Sequence, residues 1–249
     1  MRYNELGNTG INVSHISLGG AAFSNIYGAY DEERGLNLIR ETLKCGVNYI
    51  ETGHWYGQGT SERTIRKALV GVPRESYFIG SKVGRYELSP DKMFDFSAER
   101  TAAGVDNTLS ALGLDYVDII QSKGIGVINA AATGMGLLCS RGPQSWHPAS
   151  DDIKAICKRA SDYCKEHNVE LARLATWFTL NQPDIDTNIC GFFNVEQFRD
   201  TVDSLEKGLT EREQQVLQDI QLRFFDNITL HWDNVELPEH KKKLNKLQK

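Results

Sequence analysis

Between the apolar runs "VDIIQ" and "IGVINAA", only Ser122-Lys123-Gly124 intervene, where the chain's own rhythm calls for a helix. Everything before this junction alternates strand and helix. "RYNELGNTGINVSHISLGG" reads as a hairpin turning at Asn8-Thr9-Gly10, then a strand from Ile16 to Gly20. "DEERGLNLIRETLKCG" is an amphipathic helix with Asp31 as cap, a Leu36, Ile39, Leu43 stripe and Gly46 as stop. "VNYIE" is a strand, "TSERTIRKALVG" a helix facing inward through Ile65 and Leu69, and "SYFIGSKV" a strand. "SAERTAAGVDNTLSALG" is a helix from Ser97 to Gly113, and "DYVDIIQ" a strand. Such alternation predicts a parallel sheet covered by helices. Parallel neighbours need a crossover of about ten residues or more. Three residues allow a hairpin, which would reverse the second strand, or one long bent strand. Either way a helical layer is missing.

The rhythm then resumes. Residues 150–167 and 170–181 read as helices, the first capped by Ser150. "TNICGF" is a short strand, "NVEQFRDTVDSLEKG" a helix ending at Gly208, and "TEREQQVLQDIQLRFFD" a last helix capped by Thr210. The reading is one barrel-like domain over 1–229 and a polar, lysine-rich tail over 230–249. At 40% hydrophobic and 24% charged, the chain can build a real core. Its net charge of −5 gives no reason to expect nucleic acid or an anionic membrane as partner. No apolar run approaches the ~18 residues of a membrane-spanning helix. Five scattered cysteines without a secretion signal fit reduced thiols and a cytoplasmic protein. The sequon Asn227-Ile228-Thr229 carries no weight in that setting.

The chemistry-bearing residues follow the strands. Gly20 and Ala21 follow the first barrel strand, Glu51 and Tyr56 the second, and Lys82 ends the third. In a parallel barrel such ends converge on one face. A lysine beside a tyrosine favours phenolate and draws the phenol's pKa towards neutrality. A phenol so tuned can hand a proton to a developing alkoxide. Glu51 behind the lysine would hold it charged. The plainer reading is a Lys82–Glu51 ion pair with Tyr56 packed on a loop. Gly57-x-Gly59 lacks the third glycine of a dinucleotide fingerprint, which argues against a doubly wound nucleotide fold of the same rhythm. These glycines read as a turn into a helix capped by Thr60 or Ser61. Gly191, between a strand and the helix containing Gln197 and Asp200, offers backbone N–H groups that could hold a phosphate.

"SLGGAAF", "NYIETGHWYGQGTSE", "FIGSKVGRY", "LGLDYVDIIQ" and "GVINAAATGMGLL" together resemble the aldo-keto reductases, and "GPQSWHPAS" points to their sugar-dehydrogenase branch. The resemblance implies an (β/α)8 TIM-type barrel, a nicotinamide cofactor and a tetrad of Asp, Tyr, Lys and His. Tyr56 matches the proton donor and Lys82 its partner; Glu51 stands where the family has aspartate. The histidine expected after the fourth strand is absent, and none follows until His147. The junction then reads as a jump from the fourth barrel strand to the seventh, leaving about six of eight strands. An alternative transcript, an inaccurate gene sequence or a real deletion would each produce it. His54 is read as a surface-loop histidine and His147 as structural. Phe192 and Gln197 match positions that bind the 2′-phosphate in NADP-preferring relatives and lack that chemistry. Asp200 keeps an acid where the family has glutamate, and Thr201 replaces an asparagine. NAD is therefore expected over NADP. The resemblance implies hydride transfer between nicotinamide and an aldose or small carbonyl, with impaired activity. The alternative is a non-catalytic pseudoenzyme or a truncated isoform whose exposed strand edges preclude stable function.

Overall fold

The computed structural model describes residues 1–89, 91–121, 127–183, 185–226 and 228. The chain forms two compact units: Met1–Ala130 with Asp184–Phe198, and Ala131–Pro183 with the chain from Arg199 on.

The first unit opens with the expected hairpin, β1 (Tyr3–Glu5) against β2 (Asn12–Ser14), antiparallel with Tyr3 opposite Ser14. The Thr9 hydroxyl donates to the Leu6 carbonyl at 2.7 Å and tightens the turn. Six strands follow: β3 (Ile16–Gly19), β4 (Tyr49–Glu51), β5 (Phe78–Lys82), β6 (Ile119–Gln121), β7 (Ile128–Ala130) and β8 (Thr187–Cys190). They form one sheet in the order β6-β5-β4-β3-β8-β7, every pairing parallel. Helices α1 (Glu32–Lys44), α2 (Thr60–Ala68) and α3 (Ala98–Leu112) follow β3, β4 and β5 in turn.

At the junction neither local alternative, the hairpin or the long bent strand, is what forms; the six strands are those of an incomplete barrel. β7 pairs with β8, parallel, at the opposite edge of the sheet from β6. It is neither the return arm of a hairpin nor a continuation of β6. The crossover rule limits neighbouring strands only, and these two are not neighbours. Residues 122–126, which join them, lie outside the described residues. Ile119 from one edge and Ile128 from the other pack on a single buried cluster of Leu6, Val13, Tyr49 and Ile189. A sheet whose two edges share a core is strongly curled. The result is a half-barrel, an incomplete (β/α)8 fold, with the β1–β2 hairpin contributing Leu6, Ile11 and Val13 to its interior. β6 is also shorter than the apolar run implies. The Asp118 carboxylate takes the Ile79 N–H at 2.7 Å and Arg74 at 2.6 Å just before the strand begins.

Local chemistry sets the helix limits. Asp31 accepts from the Arg34 N–H and Ser97 from the Arg100 N–H, capping α1 and α3. Gly113 closes α3 in the left-handed conformation, at φ 66°. Two expectations are corrected. In α1 the buried residues are Gly35, Leu38, Ile39 and Thr42, while Leu36 and Leu43 are only half-buried. Gly35 lies on the buried face, where its missing side chain lets the Tyr30 ring lie against the helix. In α2 neither Thr60 nor Ser61 caps: the cap position is Gly59, in the left-handed conformation and without a side-chain bond.

The second unit is helical. α4 (Asp151–Glu166) is capped by Ser150, α5 (Leu171–Leu180) by Glu170, and α7 (Glu211–Ile220) by a complete Thr210–Glu213 capping box. Their core holds Ala160, Cys164, Leu171, Leu174, Val216 and Ile220. α6 (Val195–Lys207) belongs to both units by residue number. All five cysteines are free thiols. Among the described residues, no helix is long and apolar enough to cross a membrane. The sequon and the tail after residue 229 fall outside the description, apart from Ile228.

Candidate active site

Glu51 ends β4 opposite Gly80 of β5. Lys82, two residues beyond Gly80, projects from the same face of the sheet. The loop after β4 brings Tyr56 back over both. The Lys82 Nζ donates to the Tyr56 hydroxyl at 3.0 Å and to the Thr52 carbonyl at 3.3 Å. It also sits in direct contact with the Glu51 carboxylate. The Tyr56 hydroxyl lies 3.3 Å from Glu51 Oε1. Glu51 is buried, so its carboxylate has little besides these partners to offset its desolvation. Glutamate in place of aspartate thus reaches lysine and phenol together. The plain ion pair with an unconnected tyrosine is not what forms.

The acidities depart from the expected pattern. Burial pulls Lys82 down from 10.5 to about 7. The neighbouring Glu51 carboxylate opposes that pull and favours the ammonium. Burial pushes Tyr56 up to about 12, with the Tyr27 hydroxyl adding to the rise and Arg85 working against it. The lysine stands where a phenolate-stabilising cation should, but desolvation outweighs it. Tyr56 is therefore a protonated phenol near neutral pH, a proton donor more readily than a base.

Three successive residues after Tyr56 have left-handed backbones: Gly57 at φ 70°, Gln58 at 52° and Gly59 at 82°. Gln58 alone carries a side chain there, a strain of roughly 1–3 kcal/mol. The Ser61 hydroxyl of α2 donates to the Gly20 carbonyl at 2.8 Å and meets Thr52 Oγ1 at 2.9 Å. That close approach is why position 20 is glycine: a Cβ there would stand 2.7 Å from Ser61 Oγ and 2.8 Å from the Glu51 carbonyl. Ala21 is half-buried, its carbonyl accepting from the Ser24 hydroxyl at 2.8 Å.

The remaining sequence-selected residues have different surroundings. Gly191 is exposed, and a Cβ on it would meet only the Ala22 Cβ, at 3.9 Å. Phe192 is buried edge-on against Phe198, ring centres 5.5 Å apart. Gln197 Oε1 accepts from the Phe193 N–H, and Asn194 Oδ1 from the Gln197 N–H. Those two backbone donors are spent within the segment. Asp200 is held by Arg173 at 2.6 Å. His54 engages the buried Glu62, Nδ1 to Oε2 3.9 Å, rather than Tyr56. His147 is buried, bonded to the Gly134 carbonyl at 3.0 Å and accepting from the Ala149 N–H at 3.1 Å. Sequence reasoning missed Arg85, whose guanidinium lies 4.1 Å from the Trp55 ring centre and whose charge reaches Tyr56. The available signal was its position three residues beyond Lys82, on the loop that follows β5.

The family model described as "Aldo/keto reductase family" matches residues 15–122 and 119–221. The two matched segments meet at the end of β6. L-galactose dehydrogenase from Arabidopsis thaliana is 27% identical over 277 aligned positions, covering 79% of this chain and 86% of that protein. Those positions outnumber the 249 residues of the whole chain, so the relative carries sequence with no counterpart here. Among solved structures, an aldo-keto reductase from Bacillus halodurans in its holo form superposes with TM-score 0.64 at 20% identity, covering 88% of this chain and 96% of that one. The glycerol dehydrogenase from Gluconobacter oxydans gives TM-score 0.66 at 16% identity, covering 92% and 97%. These two establish likeness of fold. With a family model spanning nearly all of residues 15 to 221 and a Tyr–Lys–Glu cluster at the strand ends, the chain belongs to the aldo/keto reductase family.

Proposed function

We propose that the chain moves a hydride between NAD and an aldose or small carbonyl, at low turnover, with Tyr56 transferring the proton. The family uses nicotinamide cofactors on carbonyl and sugar substrates; the choice of NAD, the site roles and the reduced rate are our reading. The observation that carries it is the Lys82–Tyr56 bond of 3.0 Å beside Glu51. When bound, the nicotinamide supplies the hydride. Gly191 suits a dinucleotide, since the space a side chain would take there is open, while Gly20 and Ala21 are assigned to the cofactor site by the family resemblance alone. Phe192 and Gln197 offer no cation to a 2′-phosphate, which favours NAD over NADP.

Tyr56 donates its proton to the oxygen of the reduced carbonyl, and Lys82, held by Glu51 and the Thr52 carbonyl, offsets the charge left behind. A phenol at about 12 is protonated at pH 7, the form that carbonyl reduction needs. Low turnover is argued from the sequence after β6, which supplies no histidine to orient the carbonyl. The split family match supports the absence of the fifth and sixth barrel strands. Free thiols support a cytoplasmic setting. The test is NADH oxidation with a panel of small aldehydes, and NAD reduction with L-galactose. Tyr56→Phe should abolish turnover and leave NADH binding intact. Undiminished turnover in Tyr56→Phe rejects the assignment, and wild-type rates within about tenfold of an intact relative reject the low-turnover claim.

A second reading, a non-catalytic binding protein, is favoured by one observation: β6 and β7 each pair on one side only among the described residues. Cofactor binding without turnover on any substrate would support it.

A further inference from the structure

Gln121 closes β6 at the edge of the sheet, and the functional reading above does not use it. Gly80 of β5 lies opposite Glu51 on one side and Ile119 on the other, and Lys82 lies opposite Gln121. Alternation along β6 puts Ile119 and Gln121 on one face. Ile119 packs on the interior cluster that holds Tyr49. Gln121 therefore faces inward too, beside Lys82, at the strand ends where a barrel builds its site.

Its side chain is held there. Gln121 Nε2 donates to the Tyr49 hydroxyl at 3.4 Å. Tyr49 is fully buried, and its ring lies across Gly80: a Cβ on that glycine would run into the hydroxyl and stand 3.0 Å from Cζ. The hydroxyl thus stands against the residue paired with Glu51, and its field reaches Tyr56. Among the described residues, the bond to Tyr49 is the only one that the Gln121 amide makes. Gln121 is half-buried, which leaves its second N–H and its amide oxygen to a ligand.

Tyr56 and Lys82 mark where a carbonyl oxygen is received. Gln121 stands one strand spacing from Lys82, about 4.8 Å along the same row. A simple aldehyde has nothing to offer there, whereas a carbonyl compound with a hydroxyl on the adjacent carbon has a second oxygen within reach. We propose that Gln121 is a specificity-determining residue that hydrogen-bonds the hydroxyl next to the substrate carbonyl, selecting hydroxy-carbonyl compounds over simple aldehydes. The inference narrows the substrate class of the proposed function and rests on Tyr56 and Lys82 receiving the carbonyl. An amide suits the task because it can both donate to and accept from a hydroxyl, and it is left unpaired when the hydroxyl is missing.

The test compares glycolaldehyde with acetaldehyde, which differ by that one hydroxyl, in NADH-dependent reduction. Wild type should favour glycolaldehyde by about tenfold or more in kcat/KM. Gln121→Met alone would strand the buried Tyr49 hydroxyl, so it is made together with Tyr49→Phe, which removes both partners of the bond. In this double variant the preference should fall towards one, with the loss borne by glycolaldehyde. Tyr49→Phe alone keeps the amide and should keep part of the preference; its complete loss there would assign the effect to Tyr49 and overturn the role of Gln121. The preference is also read without turnover in Tyr56→Phe, as quenching of bound NADH fluorescence by each aldehyde. A wild-type ratio near one, or a ratio unmoved in the folded double variant, overturns the proposal. A chain that is inactive yet binds glycolaldehyde preferentially through Gln121 rejects the proposed function and leaves this inference standing. A chain that binds no NADH rejects both.

Discussion

At the residue scale, burial governs the site more than charge pairing does. The residue types at 51, 56 and 82 announced a proton relay, and the three side chains do meet. Their acidities were not legible, because sequence shows which charges are near but not how much water is excluded. Tyr56 at about 12 is the result. Glu62 gives a sharper case. Burial raises its pKa above 4.5 despite the Thr108 hydrogen bond and Arg63, with His54 facing it across 3.9 Å. A carboxyl whose folded pKa is raised stabilises fully below 4.5 and loses that contribution as pH rises through the folded value. Glu62→Gln, which cannot ionise, should therefore melt higher than wild type at pH 8. The gap should close towards pH 4. A thermal melt series from pH 4 to 8 checks this, and a pH-independent gap would contradict it.

At the element scale, caps and glycine stops were readable because they depend on neighbours in sequence. Asp31, Ser97, Ser150 and Thr210 all cap as read. Thr210 carries both halves of its capping box, so Thr210→Ala should cost about 1 kcal/mol in chemical denaturation. What failed depends on partners outside the element: the stripe of α1, where Tyr30 lies against Gly35, and the placement of β7 across the sheet. No local pattern says that two consecutive strands will occupy opposite edges. That placement has a dynamic consequence. Among the described residues, β3, β4, β5 and β8 are bonded on both sides, whereas β6 and β7 are each bonded on one. Ile120 on β6 is 39% exposed, where a following helix would cover it. Hydrogen exchange should find amides of Ile119–Gln121 and Ile128–Ala130 exchanging faster than those of Ile16–Gly19 and Tyr49–Glu51.

At the scale of the whole molecule, the class of fold followed from the strand–helix rhythm, and the shortfall of strands from the three-residue junction. The curl did not follow, since it rests on Ile119 and Ile128 sharing one cluster. If the half-barrel holds a dinucleotide, its stability must respond. NADH at about 100 times its dissociation constant should add about 2.7 kcal/mol, seen as a rise in melting temperature that NADPH at equal concentration does not match. An equal rise with NADPH would contradict the reading of Phe192 and Gln197. The pairing of β3 with β8 also bears on how the chain is made. Ile16 lies opposite Asn188, so the first strand of the sheet finds one of its two neighbours only after a further 172 residues have been made, 188 less 16. At about 5–20 residues per second, that edge waits on the order of ten to thirty seconds on the ribosome with its backbone unpaired. The interval makes the nascent chain a natural client for chaperones.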